Sequence, residues 1–166
     1  MWKVISDYFS SYPSQAKVAR VILKNGMSVR NGRVYSGKVS ISDTALARAA
    51  GVDRRVVRSA VETISADKQL SSFFAHLLPT ANFKDVASTM GWGAIEILSD
   101  DAHQTGILSD IATIISEAGI SIRQAIVDDP ETTEAPKIFI ITESTVPPEM
   151  LPRLRSAKGV KSLTIY

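Results

Sequence analysis

The sequence predicts an α+β protein of two domains, and three observations lead to this prediction. Apolar residues recur at helical spacing through most of residues 1–79. Residues 92–166 instead alternate between the spacing of a strand and the spacing of a helix, in the order strand, helix, strand, strand, helix, strand. Charge divides the chain too: residues 1–90 hold 13 Lys and Arg against 6 Asp and Glu, and residues 91–166 hold 6 against 11. We therefore expect an all-α first domain, a connector over residues 80–91 and a mixed second domain.

The first domain is expected to begin with two helices and a turn. Residues 1–10 predict a short helix, and Ser14 is the expected cap of a second helix that ends at Gly26. The pair Asn31-Gly32 is a hairpin-turn signal, so a small hairpin or an ordered loop is expected after the second helix.

Three more helices are expected before the connector. Residues 42–64 predict two short helices separated by Gly51, and residues 67–78 predict a further helix that Pro79 ends. The expected caps are Ser42 or Asp43 for the first of the pair and Asp53 for the second.

The element order of the second domain predicts a ferredoxin-like βαββαβ unit, which is an antiparallel sheet backed by two helices on one face. Pro152 interrupts the second helix, so a kink or a late start is expected there. The expected elements are strands over residues 93–98, 120–126, 137–142 and 160–166, helices over residues 106–118 and between residues 148 and 157, and an acidic turn over residues 128–136.

Composition limits the class of protein. The 166 residues are 45% hydrophobic and 22% charged, which is typical of a soluble globular protein. No apolar run approaches the roughly 20 residues that span a bilayer, and residues 1–7 lack the apolar core of a signal peptide. The absence of cysteine excludes disulfides and thiolate chemistry. We expect a cytoplasmic protein that does not contact a membrane.

The helix pair over residues 42–64 is typical of a DNA-binding helix-turn-helix. Ala47 is small enough for the helices to cross closely, and Gly51 turns the chain. Arginine can fork onto guanine edges or pair with phosphate, and the basic half of the chain would attract a polyanion. A plain helical hairpin with a solvated basic face is the alternative. The predicted DNA-binding residues are Arg54, Arg55, Arg58 and Ser59.

A second candidate site lies in the loop between the first strand and the first helix of the second domain. A helix N-terminus presents free N–H groups and suits a carboxylate, while the acidic loop suits an ammonium group, and an amino acid has both groups. Gly106 permits close approach to the backbone. As the alternative, Thr105 or Asp101 merely caps the helix and His103 faces water. The predicted ligand-binding residues are Asp100, Asp101, His103, Gln104, Thr105, Gly106, Ile107 and Leu108.

The run from Gly106 to Ile111, after a strand and an acidic loop, resembles that of ACT domains, which are regulatory modules that commonly bind amino acids at subunit interfaces. The whole chain resembles the archaeal predicted regulators of amino acid metabolism, which join a DNA-binding-like N-terminal region to an ACT domain. Residues 31–35, 51–58 and 122–126 support this resemblance. It implies an amino-acid effector and a homodimer, or a higher homo-oligomer, formed by side-by-side pairing of ACT sheets. A homodimer would suit a two-fold DNA site.

No catalytic set is visible, so we expect neither an enzyme nor a cofactor. His76 and His103 are the only histidines, and without cysteine they make a poor transition-metal site. Phosphate-binding glycine loops, nucleophile elbows and dinucleotide fingerprints are absent from the sequence.

Two functions are left open by the sequence. The first is a transcriptional regulator that binds an amino acid or related metabolite at its ACT domain and passes the signal to the helix-turn-helix. The second is a regulatory subunit of an amino-acid biosynthetic enzyme, in which the basic half docks on the enzyme and no DNA is bound.

Overall fold

A computed structural model describes residues 2–133 and 135–166, and the chain divides into two compact units between Ala81 and Asn82. The first unit contains helices α1 (Trp2–Asp7), α2 (Pro13–Lys24), α3 (Asp43–Ala50), α4 (Arg54–Ala66) and α5 (Lys68–Ala75) and strands β1 (Ser28–Arg30), β2 (Arg33–Ser36) and β3 (Val39–Ile41).

The three strands of the first unit form an antiparallel meander in the order β1-β2-β3, so the prediction of an all-α domain is wrong. The Asn31-Gly32 turn joins β1 to β2, and both residues have positive φ, at 51° and 68°. Such a turn matches the twist of a hairpin. The expected hairpin is therefore present, and a second turn at Gly37 adds the third strand, which is too short to leave a clear alternating pattern.

Two of the helix caps predicted for the first unit are observed, and one is not. Ser42 Oγ accepts a hydrogen bond from the Ala45 N–H at 3.2 Å, and an Asp53 carboxylate oxygen accepts from the Arg55 N–H at 2.7 Å. The prediction that Ser14 caps α2 is wrong, because α2 begins at Pro13. Proline fits the first helical position since its missing N–H would have no partner there.

The core of the first unit lies where α2, α3 and α4 contact one another and where α5 packs on α4 and β1. Ala47 and Ala60 are buried, so small side chains lie inside this helix packing. The largest fully buried side chains are Phe9, Ile22, Leu46, Ile64 and Phe74.

Gly26 lies at a close approach after α2. Its φ is +57°, and a Cβ there would lie 2.4 Å from the Leu78 carbonyl oxygen. Because both the positive φ and the contact oppose a side chain, we expect Gly26→Ala to lower the free energy of unfolding of the first unit by about 2–4 kcal/mol. Gly51→Ala is the matched control, since Gly51 has φ +63° but no atom within 4 Å of its ideal Cβ. Urea denaturation should show the smaller loss for Gly51→Ala; equal losses would contradict the contact.

The second unit has the predicted βαββαβ order. Its elements are strands β4 (Gly93–Ser99), β5 (Ile122–Val127), β6 (Lys137–Thr142) and β7 (Val160–Ile165) and helices α6 (Ile107–Glu117) and α7 (Leu151–Arg155). All pairings are antiparallel, in the strand order β5-β6-β4-β7. The late start expected at Pro152 is confirmed, because a 3-10 turn over Pro148–Met150 precedes α7 and the proline lies in its first turn.

The two faces of this sheet are covered differently. On one face, Ile95 and Ile140 pack in a core with Ile111 of α6 and Leu154 of α7. The other face bears residues 82–91, which the sequence indicates as a connector and which form two 3-10 turns. Ala87 is buried there in a smaller cluster with Ala94 and Ile141. We call residues 82–91 the strap.

Within the described parts of the chain, every helix is too short or too polar to cross a bilayer.

Candidate ligand-binding and DNA-binding sites

The loop after β4 leaves the N-terminus of α6 without a side-chain cap. Gly106 occupies the N-cap position with φ 93°, and no side chain bonds to the first-turn amides. The alternative that Thr105 or Asp101 caps the helix is therefore wrong. The Asp101 carboxylate instead accepts a hydrogen bond from the His103 N–H at 2.9 Å, which closes a turn within the loop. The exposed α6 terminus thus presents N–H groups and the positive end of the helix dipole.

The predicted ligand-binding residues lie together in this loop and the first turn of α6, and most of them are open to solvent. The exposed ones are Asp100, Asp101, His103, Thr105, Gly106 and Leu108. Gln104 is half-buried, and the side chain of Ile107 is buried in the core, so only the backbone of Ile107 can face a ligand.

The turn before β7 supports the loop. The Gly159 carbonyl accepts a hydrogen bond from the Asp100 N–H at 3.0 Å. A Cβ on Gly159 would lie 2.9 Å from the Gln104 side-chain oxygen, so the half-buried Gln104 packs against a bare backbone. Sequence reasoning did not include Gly159, although its glycine identity before a strand was visible. The loop therefore has a fixed base and an exposed rim.

The predicted DNA-binding residues all lie in the first two turns of α4. Arg54, Arg55 and Arg58 are exposed, and Ser59 is half-buried. Gly51, in the left-handed conformation with φ 63° and ψ 43°, ends α3 and permits the short turn into α4. The beginning of α4 therefore presents three guanidinium groups to solvent.

The three arginines differ in their contacts. Arg58 Nε donates a hydrogen bond to the Asp43 carboxylate of α3 at 3.0 Å. Arg55 and Ser59 instead line a shallow cleft of about 340 Å³ against the loop before α2 and the first turn of α2. The other lining residues of the cleft are Ser11, Tyr12, Pro13, Ser14, Gln15 and Val56. Arg58 is thus the one of these three arginines that a carboxylate on the neighbouring helix restrains.

One ionic cluster was missed by the sequence analysis, and it lies on the strap face of the second sheet. Glu96 of β4, whose side chain is 11% exposed, accepts hydrogen bonds from the ammonium groups of Lys137 and Lys84, the latter at 2.7 Å. The Tyr166 hydroxyl donates to the same carboxylate at 2.9 Å. The hydrogen bond from Lys137, then that from Lys84, lowers the pKa of Glu96 to about 2, although burial opposes this shift. Hydrogen bonding to Glu96 raises the pKa of Lys84.

The histidines take no part in a metal site in the part of the chain that the structure describes. Ring nitrogen Nδ1 of His76 lies 2.7 Å from the Ser72 carbonyl oxygen in α5, and His103 is exposed in the loop. Across the described residues, no group of three or more His, Asp and Glu side chains is arranged to hold a metal ion.

Residues 97–159 match the family described as the ACT domain, so the second unit contains an ACT domain. This match covers the loop and α6 and indicates a regulatory module that binds a small molecule such as an amino acid. No curated protein sequence matches the chain. Among solved structures, the chain is similar to the chemotaxis kinase CheA P2 domain in complex with the response regulator CheY from Thermotoga maritima, at 15% identity and a TM-score of 0.37. That similarity covers 46% of this chain and 95% of the other.

Proposed function

We propose that the protein is an amino-acid-responsive regulator, in which the ACT domain binds an amino acid or a related metabolite at the N-terminus of α6. The observation that supports this proposal best is the exposed α6 terminus, which has no side-chain cap inside a matched ACT domain. The ligand carboxylate would accept hydrogen bonds from the first-turn amides. Asp100 and Asp101 would face its ammonium group.

A thermal-shift screen against the twenty amino acids tests the proposal directly. A ligand present at about 100 times its dissociation constant stabilises the folded state by about 2.7 kcal/mol, which moves the unfolding midpoint by several degrees. We expect one amino acid, or a chemically related few, to produce that shift. If no amino acid raises the midpoint at millimolar concentration, the amino-acid effector is excluded.

The acidic loop offers a variant that removes charge without removing its turn. We expect Asp100→Asn combined with Asp101→Asn to lower the affinity for the effector by about tenfold or more. Asparagine keeps the acceptor for the His103 N–H but loses the attraction for ammonium. Asp128→Asn with Asp129→Asn is the matched control, since Asp129 likewise accepts from the Glu131 N–H at 2.8 Å. Calorimetric titration should show a lower affinity for the effector in the Asp100 and Asp101 variant than in the control. Equal affinities in the two variants would mean that the ligand binds elsewhere.

We further propose that α3 and α4 act as a helix-turn-helix that binds DNA through Arg54, Arg55, Arg58 and Ser59. The support is the exposed arginine cluster at the start of α4, together with the basic balance of residues 1–90. A homodimer through the ACT sheets would present two such helices to a two-fold site. Sedimentation at several protein concentrations tests that dimer, with and without the effector.

The alternative is a regulatory subunit that docks on an amino-acid enzyme and binds no DNA. The same exposed basic surface favours an acidic protein partner as well as a polyanion. A stable enzyme recovered with the native protein, in the absence of salt-sensitive DNA binding, would favour this alternative.

A further inference from the structure

The strap contains a lysine whose ammonium group lies against three side chains of kinds that bind cations. Lys84 Nζ lies 4.5 Å from the centroid of the Phe139 ring and 4.7 Å from that of Tyr166. It also donates to the Glu96 carboxylate at 2.7 Å. Two aromatic faces and one carboxylate are a set of groups that binds organic ammonium ions.

Two of the three residues around this ammonium group lie on neighbouring strands, and the third directly follows another strand. Glu96 and Phe139 are register partners on β4 and β6. Tyr166 follows β7, and its N–H donates to the Ala94 carbonyl at 3.0 Å. Its hydroxyl bonds to Glu96, which fixes the ring against the carboxylate. The set is therefore placed by sheet geometry that does not involve Lys84.

We propose that Glu96, Phe139 and Tyr166 form a binding box for a primary alkylammonium group, and that Lys84 occupies this box as a tethered ligand that fastens the strap to the sheet. This proposal concerns the sheet face opposite α6 and does not depend on the amino-acid site. Its consequence is that a free ammonium compound in the box and a fastened strap exclude each other.

A second group of contacts holds Phe83, near the start of the strap, and Trp92, directly after its end. The Phe83 N–H donates to the Gln124 side-chain oxygen at 3.0 Å. The Phe83 ring packs edge-on against Trp92 at 5.9 Å between centroids, and the Arg123 guanidinium lies 4.0 Å from the Trp92 ring centroid. These contacts would keep the strap near the sheet when Lys84 is lost, so the variant should open locally and not unfold the unit.

Amide hydrogen exchange of the strap in Lys84→Ala tests the fastening. We expect exchange at Val86, Met90 and Trp92, whose amides bond to carbonyl groups of the strap, to rise about tenfold to a hundredfold, because the charge-assisted bond and both ring contacts are lost. Slow amides of β4 and β6 serve as the internal reference. Lys158→Ala is the matched control, since Lys158 is an exposed lysine of the same unit. Unchanged strap exchange in Lys84→Ala would overturn the proposal.

Competition tests recognition of the ammonium group itself. n-Propylammonium has the atoms that Lys84→Ala removes but is not attached to the strap. At tens of millimolar, about the effective concentration of a tethered group, we expect it to bind the empty box of Lys84→Ala and to shift the NMR signals of Phe139 and Tyr166. In the unchanged protein the same concentration should displace Lys84 and raise strap exchange. Neutral 1-propanol of the same length should do neither, and binding should also fail in Lys84→Ala combined with Glu96→Gln. If the alcohol acts as the amine does, or neither acts, the box does not recognise ammonium and the proposal is wrong.

If Lys84→Ala also raises exchange in β4 and β6, Lys84→Met replaces it, because methionine keeps most of the aliphatic stem without the charge. Faster strap exchange in Lys84→Met, with the sheet protected, supports the proposal. Strap exchange equal to that of the unchanged protein overturns it.

Discussion

Alanine at Arg54, Arg55 and Arg58 together is expected to weaken binding of the protein to duplex DNA by at least about a hundredfold at physiological salt. The three side chains are exposed in the first two turns of α4, where a helix that enters the major groove makes its contacts. Each guanidinium that pairs with a base or a phosphate contributes about 1–3 kcal/mol, so three together exceed two orders of magnitude.

The measurement is fluorescence anisotropy with labelled genomic fragments over a series of salt concentrations. Because each neutralised phosphate adds about 0.9 to the slope of log K against log salt, the variant should also show a shallower slope. The control variant changes three exposed lysines elsewhere in the first unit to alanine and so removes the same amount of positive charge. These are Lys17, Lys24 and Lys68. An equal loss of DNA affinity in both variants would mean that the arginines act only through the general attraction between a basic protein and DNA. No salt-sensitive binding by the unchanged protein would exclude the DNA role.

Arg58 should contribute less than Arg54 and Arg55 in single variants. Its ion pair with Asp43 must be exchanged for the DNA contact, and the exposed side chains, 59% and 39%, make that pair worth about 0–1 kcal/mol. Asp43→Asn should therefore leave folding nearly unchanged while freeing Arg58, and a tighter complex would result. A weaker complex for Asp43→Asn would mean that the ion pair orients Arg58 for binding.

The second unit was predictable because each of its elements is locally unambiguous. Strand β6 contains the continuous apolar run 138–141, β4 is apolar around the single charge of Glu96, and α6 has an apolar stripe that Gly119 ends. In the first unit, the three residues of β3 are too few to show alternation, and their pairing with β2 depends on tertiary contact. The third strand was missed for that reason.

The sequence pointed to the candidate loop because the residues of the loop are consecutive. It did not point to the ammonium box, because the residues of the box are far apart in the chain. Lys84, Glu96, Phe139 and Tyr166 are separated by up to 82 positions in sequence. Only the strand register places Glu96 opposite Phe139, and only the packing of the strap brings in Lys84. One signal was available in principle: Glu96 is a lone charge in the middle of an apolar strand, and a buried carboxylate requires partners.

Glu96→Gln is expected to lower the free energy of unfolding of the second unit at pH 7 by about 2 kcal/mol. The amide cannot form charge-assisted bonds with Lys84 and Lys137, and the two ammonium groups then lose their counter-charge. The full shift of the Glu96 pKa corresponds to about 3 kcal/mol, and we take the smaller figure because Lys137 is 36% exposed and solvent screens its attraction.

The same variant should remove a pH dependence of defined sign. The pKa of Glu96 falls from 4.5 in the unfolded chain to about 2 in the folded protein, so near pH 4.5 the unfolded state takes up a proton first. The contribution of Glu96 is therefore complete above pH 4.5 and is lost as the pH falls towards 2. Urea denaturation followed by Trp92 fluorescence, with and without Glu96→Gln in a Trp2→Phe background, should show the stability difference between the two proteins shrinking over that window.

Glu117→Gln is the matched control for this experiment, because Glu117 also pairs with a basic side chain, that of Arg153, but on the surface. Both side chains of this pair are more than half exposed, at 54% for Glu117 and 53% for Arg153. Loss of the pair should therefore change the free energy of unfolding by less than about 1 kcal/mol. If Glu96→Gln behaves like Glu117→Gln, with a small loss that does not vary between pH 4.5 and 2, the Glu96 cluster does not stabilise the sheet. Since burial opposes ionisation of Glu96, only the bonds from Lys137, Lys84 and Tyr166 can produce the larger, pH-dependent loss.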